Sequence, residues 1–121
     1  MKHVLLDNAK KELMIKLKKA AKTEKKNYLA AVADAMDVSV KNFTSVNVYK
    51  LNKLVEKNKD KIFIVPGVVL AFGKIEKKVN VYAYRFSKEA IVKIHDAKGS
   101  AKTLDELIKD KVDGKNVIFV K

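Results

Sequence analysis

Residues 79–94 decide the fold, and they read VNVYAYRFSKEAIVKI. Side chains of the first half alternate between two apolar faces, Val79, Val81 and Ala83 on one and Tyr82, Tyr84 and Phe86 on the other. A strand that is apolar on both faces is typical of a sheet covered on both sides. Ser87 then supplies a helix N-cap, and Ala90, Ile91 and Ile94 follow at helical spacing. The segment therefore predicts a buried strand that runs directly into a helix.

Composition indicates a folded protein with a polyanionic partner. The 121 residues carry a net charge of +13, and 48% of them are hydrophobic. Self-repulsion at that charge destabilises a compact chain, and a polyanion is the usual compensation. The hydrophobic content argues against disorder. We expect a single domain over residues 1–121, with a helical part over about 8–58 and a mixed strand and helix part over about 62–121.

Several classes of protein are excluded by what the sequence lacks. There is no cysteine, which rules out disulfides, zinc knuckles and thiol chemistry. No apolar run is long enough to span a membrane, and no signal peptide is recognisable at the amino terminus. We therefore expect a cytoplasmic address, no membrane partner and no cofactor.

The first half of the chain is predicted to be helical. Asp7 or Asn8 caps a helix over about residues 9–21, and a second helix covers about residues 28–36. Residues 37–45 break the helical period and predict a loop. A third helix starts near residues 45–47 and buries Val48, Leu51, Leu54 and Val55. Asn47 is either its N-cap or a contact to the polyanionic partner.

The second half mixes short strands and helices. Strands are predicted at residues 62–65 and 68–70, separated by a turn at Pro66-Gly67. After the strand and helix of residues 79–94, Thr103 and Glu106 form a capping box for a short helix. Residues 117–120 form a last strand. The sequence thus predicts a mixed α/β fold with its helices first.

A resemblance to a known family rests on residues that recur at fixed spacing. They are Val81, Ala83, Phe86, Ser87, Ala90, Lys93 and Ile94, followed by Gly99 and Thr103-Leu104. This signature resembles that of two large-subunit ribosomal protein families, the archaeal and eukaryotic eighteen-e family and its relative, ribosomal protein fifteen. The run Val46-Asn47-Val48 with Lys50, the run Ile64-Val65-Pro66-Gly67, and the pair Val69-Leu70 are similar to the eighteen-e pattern. The resemblance extends from about Asn8 to the end of the chain and favours an archaeal member.

Two segments depart from the family pattern. Residues 39–44 stand where the family has an Arg-rich loop, and they keep only Lys41. After Pro66-Gly67 the family has a lysine and an early glycine, whereas this chain has Val68 and Ala71-Phe72. Family RNA contacts at these two places do not transfer residue by residue.

The resemblance implies a structural protein of the large ribosomal subunit, without catalytic activity or a small-molecule substrate. It implies large-subunit rRNA and neighbouring ribosomal proteins as partners, and a fold of amino-terminal helices followed by an irregular strand-strand-helix stack. A stand-alone RNA- or DNA-binding protein, such as an RNA chaperone or a chromatin protein, is the alternative.

Candidate RNA contacts are cations and one amide at predicted turns, helix ends and strand ends. They are Lys22, Lys25, Lys26, Lys41, Asn47, Lys50, Lys74, Lys77, Lys78, Arg85, Lys88 and Lys93. Lysine and arginine neutralise phosphates and release counterions, so about five such contacts predict a slope of about −4 in log affinity against log salt. Backbone and shape contacts dominate recognition of A-form RNA.

Each candidate also has a structural interpretation. Arg85, the only arginine, suits bidentate phosphate contact but could instead pair with Glu89 or Asp96. Tyr28, Tyr82 and Tyr84 could stack on bases, although core packing is the better prediction. Residues 99–103 resemble part of a phosphate loop but lack its Gly-Lys pair. His3 and His95 do not form a metal site, because no other ligands stand at suitable spacing.

Overall fold

The computed structural model describes residues 2–37, 43–112 and 114–120, with side chains from residue 10 onward. In this part of the chain, an initial helical pair is followed by five strands and three further α-helices. The helices are α1 (Lys2–Thr23), α2 (Asn27–Ala35), α3 (Val48–Lys57), α4 (Lys88–Asp96) and α5 (Leu104–Lys109). The strands are β1 (Thr44–Asn47), β2 (Ile62–Leu70), β3 (Asn80–Phe86), β4 (Ser100–Thr103) and β5 (Val117–Phe119), the last preceded by a 3-10 turn, Gly114–Asn116.

All five described strands run parallel in one sheet, with β2 at its centre. One edge of β2 pairs with β3, which in turn pairs with β4. Its other edge is shared, because β5 pairs with residues 62–64 and β1 pairs with residues 67–70. The mixed α/β class predicted from the sequence is confirmed.

Helices cover both faces of the sheet. Helices α3 and α4 bury Val48, Leu51, Ala90 and Ile94 against one face, together with Phe63. Helices α1, α2 and α5 cover the opposite face, where their side chains pack with Ile64 and Tyr82. Strands β1 to β4 follow one another across the sheet in chain order. The chain then crosses back over the sheet and places β5 beside β2. Right-handed crossovers therefore require α5 to lie on the face opposite α3 and α4.

The turn predicted at Pro66-Gly67 is wrong, because β2 continues through both residues. On one edge, Pro66 falls between the end of the β5 pairing and the start of the β1 pairing. On the other edge, the register with β3 shifts between Val65 and Val68. Proline has no N–H to donate, so it is tolerated where neither ladder needs one. Gly67 allows β1 to approach, since a Cβ there would lie 2.0 Å from the Thr44 carbonyl oxygen.

Other local predictions were partly right. The N-cap at Ser87 is confirmed, because its Oγ accepts a hydrogen bond from the Ala90 N–H at 3.1 Å. The capping box is wrong: Thr103 makes no side-chain cap, and its backbone is held by the β4 pairing with Ala83. Helix α1 begins at Lys2 rather than near residue 9.

Candidate nucleic-acid interface

Cations gather at the edge of the sheet where the parallel strands begin, and we call this group the amino-edge cluster. It consists of Lys59, Lys61, Lys77 and Lys78, which line one cleft together with Asp60 and Asn80. Lys59 and Lys61 follow α3, while Lys77 and Lys78 precede β3. Four lysines and one acid line this cleft, so its net charge is positive.

The backbone of the amino-edge cluster is fixed by Asn52 on α3. The Asn52 Oδ1 accepts hydrogen bonds from the N–H groups of Glu76 at 3.0 Å and Lys77 at 3.3 Å. Lys77 also pairs with Glu56, with 3.7 Å between Nζ and Oε1, and both side chains are half exposed. An exposed pair of this kind contributes little, about 0–1 kcal/mol, so Lys77 can exchange it for a phosphate.

A second group of predicted residues lies where the strands end, at the carboxyl edge. Asn47, Ser87 and Lys88 line a shallow groove with Leu70, Phe72 and other residues of the same edge. Asn47 occupies the N-cap position of α3, yet its side chain makes no capping hydrogen bond. Lys50 lies in the first turn of α3 and is exposed. The structural alternative for Asn47, a side-chain cap, is therefore not formed.

Arg85 lies near the end of β3 and is exposed. Its guanidinium carbon is 5.5 Å from the Tyr84 ring centroid. Neither of the two ion pairs considered for it, with Glu89 or with Asp96, occurs among the ion pairs of the described residues. Its planar group therefore stays accessible to a phosphate.

Lys93 takes a different place from the one expected for a phosphate contact. Its Nζ donates to the carbonyl oxygens of Ala71 at 2.6 Å and Gly73 at 2.8 Å. The side chain thus ties α4 to the loop that follows β2. Lys74, in the same loop, is exposed.

A third group lies at the end of α1. Lys22 and Lys25 are exposed and Lys26 is half-buried. Lys25 has a φ of 56°, the left-handed conformation that ends the helix. Lys41 falls outside the described residues. The predicted contacts therefore separate into three groups instead of forming one surface.

The three tyrosines considered for stacking, Tyr28, Tyr82 and Tyr84, pack in the core. Tyr82 is buried, and its hydroxyl donates to Asp110 Oδ2 at 2.6 Å. Burial, followed by this hydrogen bond to a carboxylate, raises the pKa of the Tyr82 hydroxyl well above its ordinary value. The hydrogen bonds from Tyr82 and then from Lys102 lower the pKa of Asp110. Tyr28 donates to the carbonyl oxygen of Val112, and Tyr84 is half-buried in the same cluster.

Sequence reasoning missed several residues of these surfaces. Lys59 and Lys61 were not among the candidate RNA contacts, and no signal in the sequence around them shows that they lie beside Lys77 and Lys78. Asn52 gave no signal, because its partners are backbone groups of a distant loop. Phe72, at 74% exposure, was noted only as a departure from the family pattern.

The described residues contain no cluster of metal ligands. No group of three or more histidine, aspartate or glutamate side chains is placed to hold a metal ion in the part of the chain covered by the structure. Within the same residues, no helix combines the length and apolarity needed to cross a bilayer. What the fold and its surfaces define is a small basic α/β protein with several exposed cationic surfaces.

Comparisons with known proteins identify the family. The family model described as "Ribosomal protein 60S L18 and 50S L18e" matches residues 2–121. The chain belongs to this family of large-subunit ribosomal proteins, and the resemblance found in its sequence is confirmed. It is accordingly a structural, non-enzymatic protein of the large ribosomal subunit in the cytoplasm.

Similar proteins are archaeal, as the resemblance predicted. The large ribosomal subunit protein eL18 of Methanoregula boonei is 32% identical over 105 residues, 87% of this chain and 85% of that protein. Its counterpart in Thermoplasma acidophilum is 40% identical over 86 residues, 71% of this chain and 70% of that protein. The Methanospirillum hungatei protein is 33% identical over 103 residues, 85% and 84% of the two chains.

Proposed function

We propose that this protein holds large-subunit rRNA in place through contacts to phosphates and to backbone shape, made at both edges of its sheet. The observation that carries the proposal is the amino-edge cluster, where Lys59, Lys61, Lys77 and Lys78 line one cleft opposite a single carboxylate. Like charges held together in such a cleft destabilise the free protein, and the exposed Lys77–Glu56 pair offsets little of that cost. A polyanion removes that cost when it binds and releases its counterions.

The carboxyl edge would supply a second contact to the same RNA. Arg85 offers a planar fork for bidentate phosphate binding, with Lys88 and Lys50 nearby in the chain segments that begin α4 and α3. Asn47 offers an amide that can bond to a phosphate or a 2′-hydroxyl group. Lys22, Lys25 and Lys26 would extend the contact from the end of α1, and Lys74 from the loop after β2.

A rigid sheet between these surfaces suits a structural role. Helices on both faces fix the distance between the two edges, so RNA segments bound at each edge are held at a constant separation. Neighbouring ribosomal proteins would contact the surfaces that remain.

The test of the RNA surface compares two double variants of equal charge. Lys77→Gln/Lys78→Gln removes half of the amino-edge cluster, whereas Lys11→Gln/Lys18→Gln removes two exposed lysines of α1, on the other side of the sheet from α3 and α4. Binding to a transcript of the organism's large-subunit rRNA is measured over a salt series. We expect the slope of about −4 to become shallower by about 1.4 to 1.8 in the first variant only.

Equal slopes for the two double variants would mean that the amino-edge cluster has no special role. Sedimentation of the tagged protein through a sucrose gradient at low magnesium provides the cellular measurement. Nearly complete comigration with the large subunit, resistant to moderately high salt, is expected. A large slow-sedimenting pool would contradict the proposed binding role.

A further inference from the structure

Phe72 has the greatest exposure of any large hydrophobic side chain in the described part of the chain, at 74%. It lies in the loop between β2 and β3, next to Leu70, which is 38% exposed. A single exposed apolar residue is ordinary on a protein surface and needs no explanation by itself. The backbone that carries this ring, however, is unusually well fixed.

Three consecutive carbonyl groups of the loop accept hydrogen bonds. Those of Ala71 and Gly73 accept from Lys93 Nζ, and that of Phe72 accepts from the Tyr49 N–H at 3.2 Å. Gly73 has a φ of 91°, and a Cβ at that position would lie 2.4 Å from the Tyr49 Cβ. The loop is thus clamped between α3 and α4. A ring presented by a fixed backbone loses little conformational freedom when it binds a partner.

The surroundings of Phe72 combine the groups that recognise a nucleotide. The groove beside it contains Asn47, whose amide makes no capping hydrogen bond, and the exposed ammonium of Lys88. Glu89 is the acid of the same groove. Aromatic rings stack on bases, amides bond to base edges or 2′-hydroxyl groups, and ammonium groups bind phosphates. Stacking is possible only where a base is unpaired, since bases within a duplex already stack on one another.

We propose that Phe72 stacks on an unpaired base of the large-subunit rRNA, and that Lys93 is the positioning residue that fixes its loop. The proposal rests on the RNA binding proposed above and adds a specific contact to it. It also gives Lys93 a role other than phosphate contact, because its ammonium is occupied by two carbonyl groups.

Tryptophan replacement tests the contact directly, because the chain contains no tryptophan. The variant Phe72→Trp carries a single indole, whose fluorescence is quenched when it stacks on a base. The matched control is Ile15→Trp, at a position 65% exposed on α1. With protein-free large-subunit rRNA as the probe, we expect at least half of the emission to be quenched in Phe72→Trp and little change in the control.

Affinity gives a second measurement. Phe72→Ala should weaken binding to the same rRNA about tenfold, while the salt slope stays unchanged because no charge is lost. Phe72→Tyr, which keeps a stacking ring, should bind like the unmodified protein. Thermal unfolding of each variant checks that the exposed substitution leaves the fold intact.

The outcomes separate the two proposals. Normal rRNA binding without quenching would overturn the stacking contact and leave the proposed function standing. Quenching only in complete subunits, and not with protein-free rRNA, would also overturn it, because a neighbouring protein would then cover the ring. Failure of the unmodified protein to bind rRNA would overturn both.

Discussion

Lys93 lies in the middle of α4 and donates a hydrogen bond to the carbonyl oxygen of Ala71, 2.6 Å from its Nζ. A charged donor shared between two backbone carbonyl groups is worth more than a neutral hydrogen bond. Lys93 differs from the many other lysines because its place on α4 brings it to these carbonyl groups. No local sequence signal marks it.

Replacing Lys93 should cost stability without removing a phosphate contact. Lys93→Met should lower the free energy of unfolding by about 2 kcal/mol, because both carbonyl groups lose their donor. It should reduce the quenching seen in Phe72→Trp and leave the salt slope unchanged. Lys88→Met, at an exposed position of the same helix, should leave the stability nearly unchanged. It should make the salt slope shallower by about 0.7 to 0.9. A shallower slope in Lys93→Met would assign that lysine to phosphate binding instead.

The Tyr82 and Asp110 pair predicts how stability depends on pH. The raised pKa of Tyr82 means that the folded state keeps this proton after the unfolded state has lost it, above a pH of about 10. Its contribution is therefore complete below about pH 10 and declines as the pH rises further. Tyr82→Phe should lose stability less steeply than the unmodified protein in that alkaline range, measured by urea unfolding at each pH.

Asp110 acts in the opposite direction at acid pH. Its pKa is lowered in the folded state, so its contribution is complete above the ordinary value of about 3.9 and is lost as the pH falls through the lower folded value. Asp110→Asn should remove that acid-dependent part of the stability. If the free energy of unfolding fell equally at acid pH in the variant and in the unmodified protein, the pair would not form.

Lys25 separates the effects of charge and backbone conformation. With a φ of 56°, it adopts a conformation that favours glycine. Lys25→Gly should therefore raise the free energy of unfolding by about 0.5 to 1 kcal/mol and, if Lys25 contacts a phosphate, make the salt slope of rRNA binding shallower. Lys25→Arg, which keeps both the charge and a Cβ at this position, is the control and should change neither the stability nor the slope.

Gly67 tests the close approach of β1 to β2. A Cβ at this position would lie 2.0 Å from the Thr44 carbonyl oxygen, so Gly67→Ala must displace β1. We expect a loss of at least about 2 kcal/mol in urea unfolding. Ser45→Ala, at an exposed position of β1, should have almost no effect. A tolerated Gly67→Ala would mean that β1 is not paired in the register described.

We also propose that residues 1–121 form one domain. The clusters on the two faces share the central strand, since Phe63 packs on one side and Ile64 on the other. Far-ultraviolet circular dichroism follows the helices, and near-ultraviolet circular dichroism follows the packed tyrosines. The two signals should report one coincident unfolding transition. Two separated transitions would divide the chain.

Local signals were enough to predict the elements whose residues decide their own structure. Ser87 and the spacing of Ala90 and Ile94 gave α4 correctly, because a cap and a period act within one turn of helix. The buried strand β3 was also predicted from its two apolar faces. Both belong to the segment that carries the family signature.

Elements that depend on a neighbour were missed. Strands β1 and β4 are short and contain little apolar alternation, and they are strands only because β2 and β3 offer them free edges. Pro66-Gly67 has the composition of a turn, and the chain continues through it because the pairing on both sides skips the proline. The candidate site was predictable only in part. Charge identified candidate lysines, whereas their grouping in space depends on the strand order of the sheet.

One edge of β2 pairs with two parallel strands. One of them, β1, precedes β2 in the sequence, and the other, β5, follows it by many residues. During synthesis, β1 to β4 can pair as they emerge, whereas the first half of that edge must wait for β5. Exposed strand edges invite pairing between molecules, and charged residues oppose it. The lysines around this edge should therefore oppose edge-to-edge pairing between newly synthesised copies. That protection against aggregation acts before any RNA is bound.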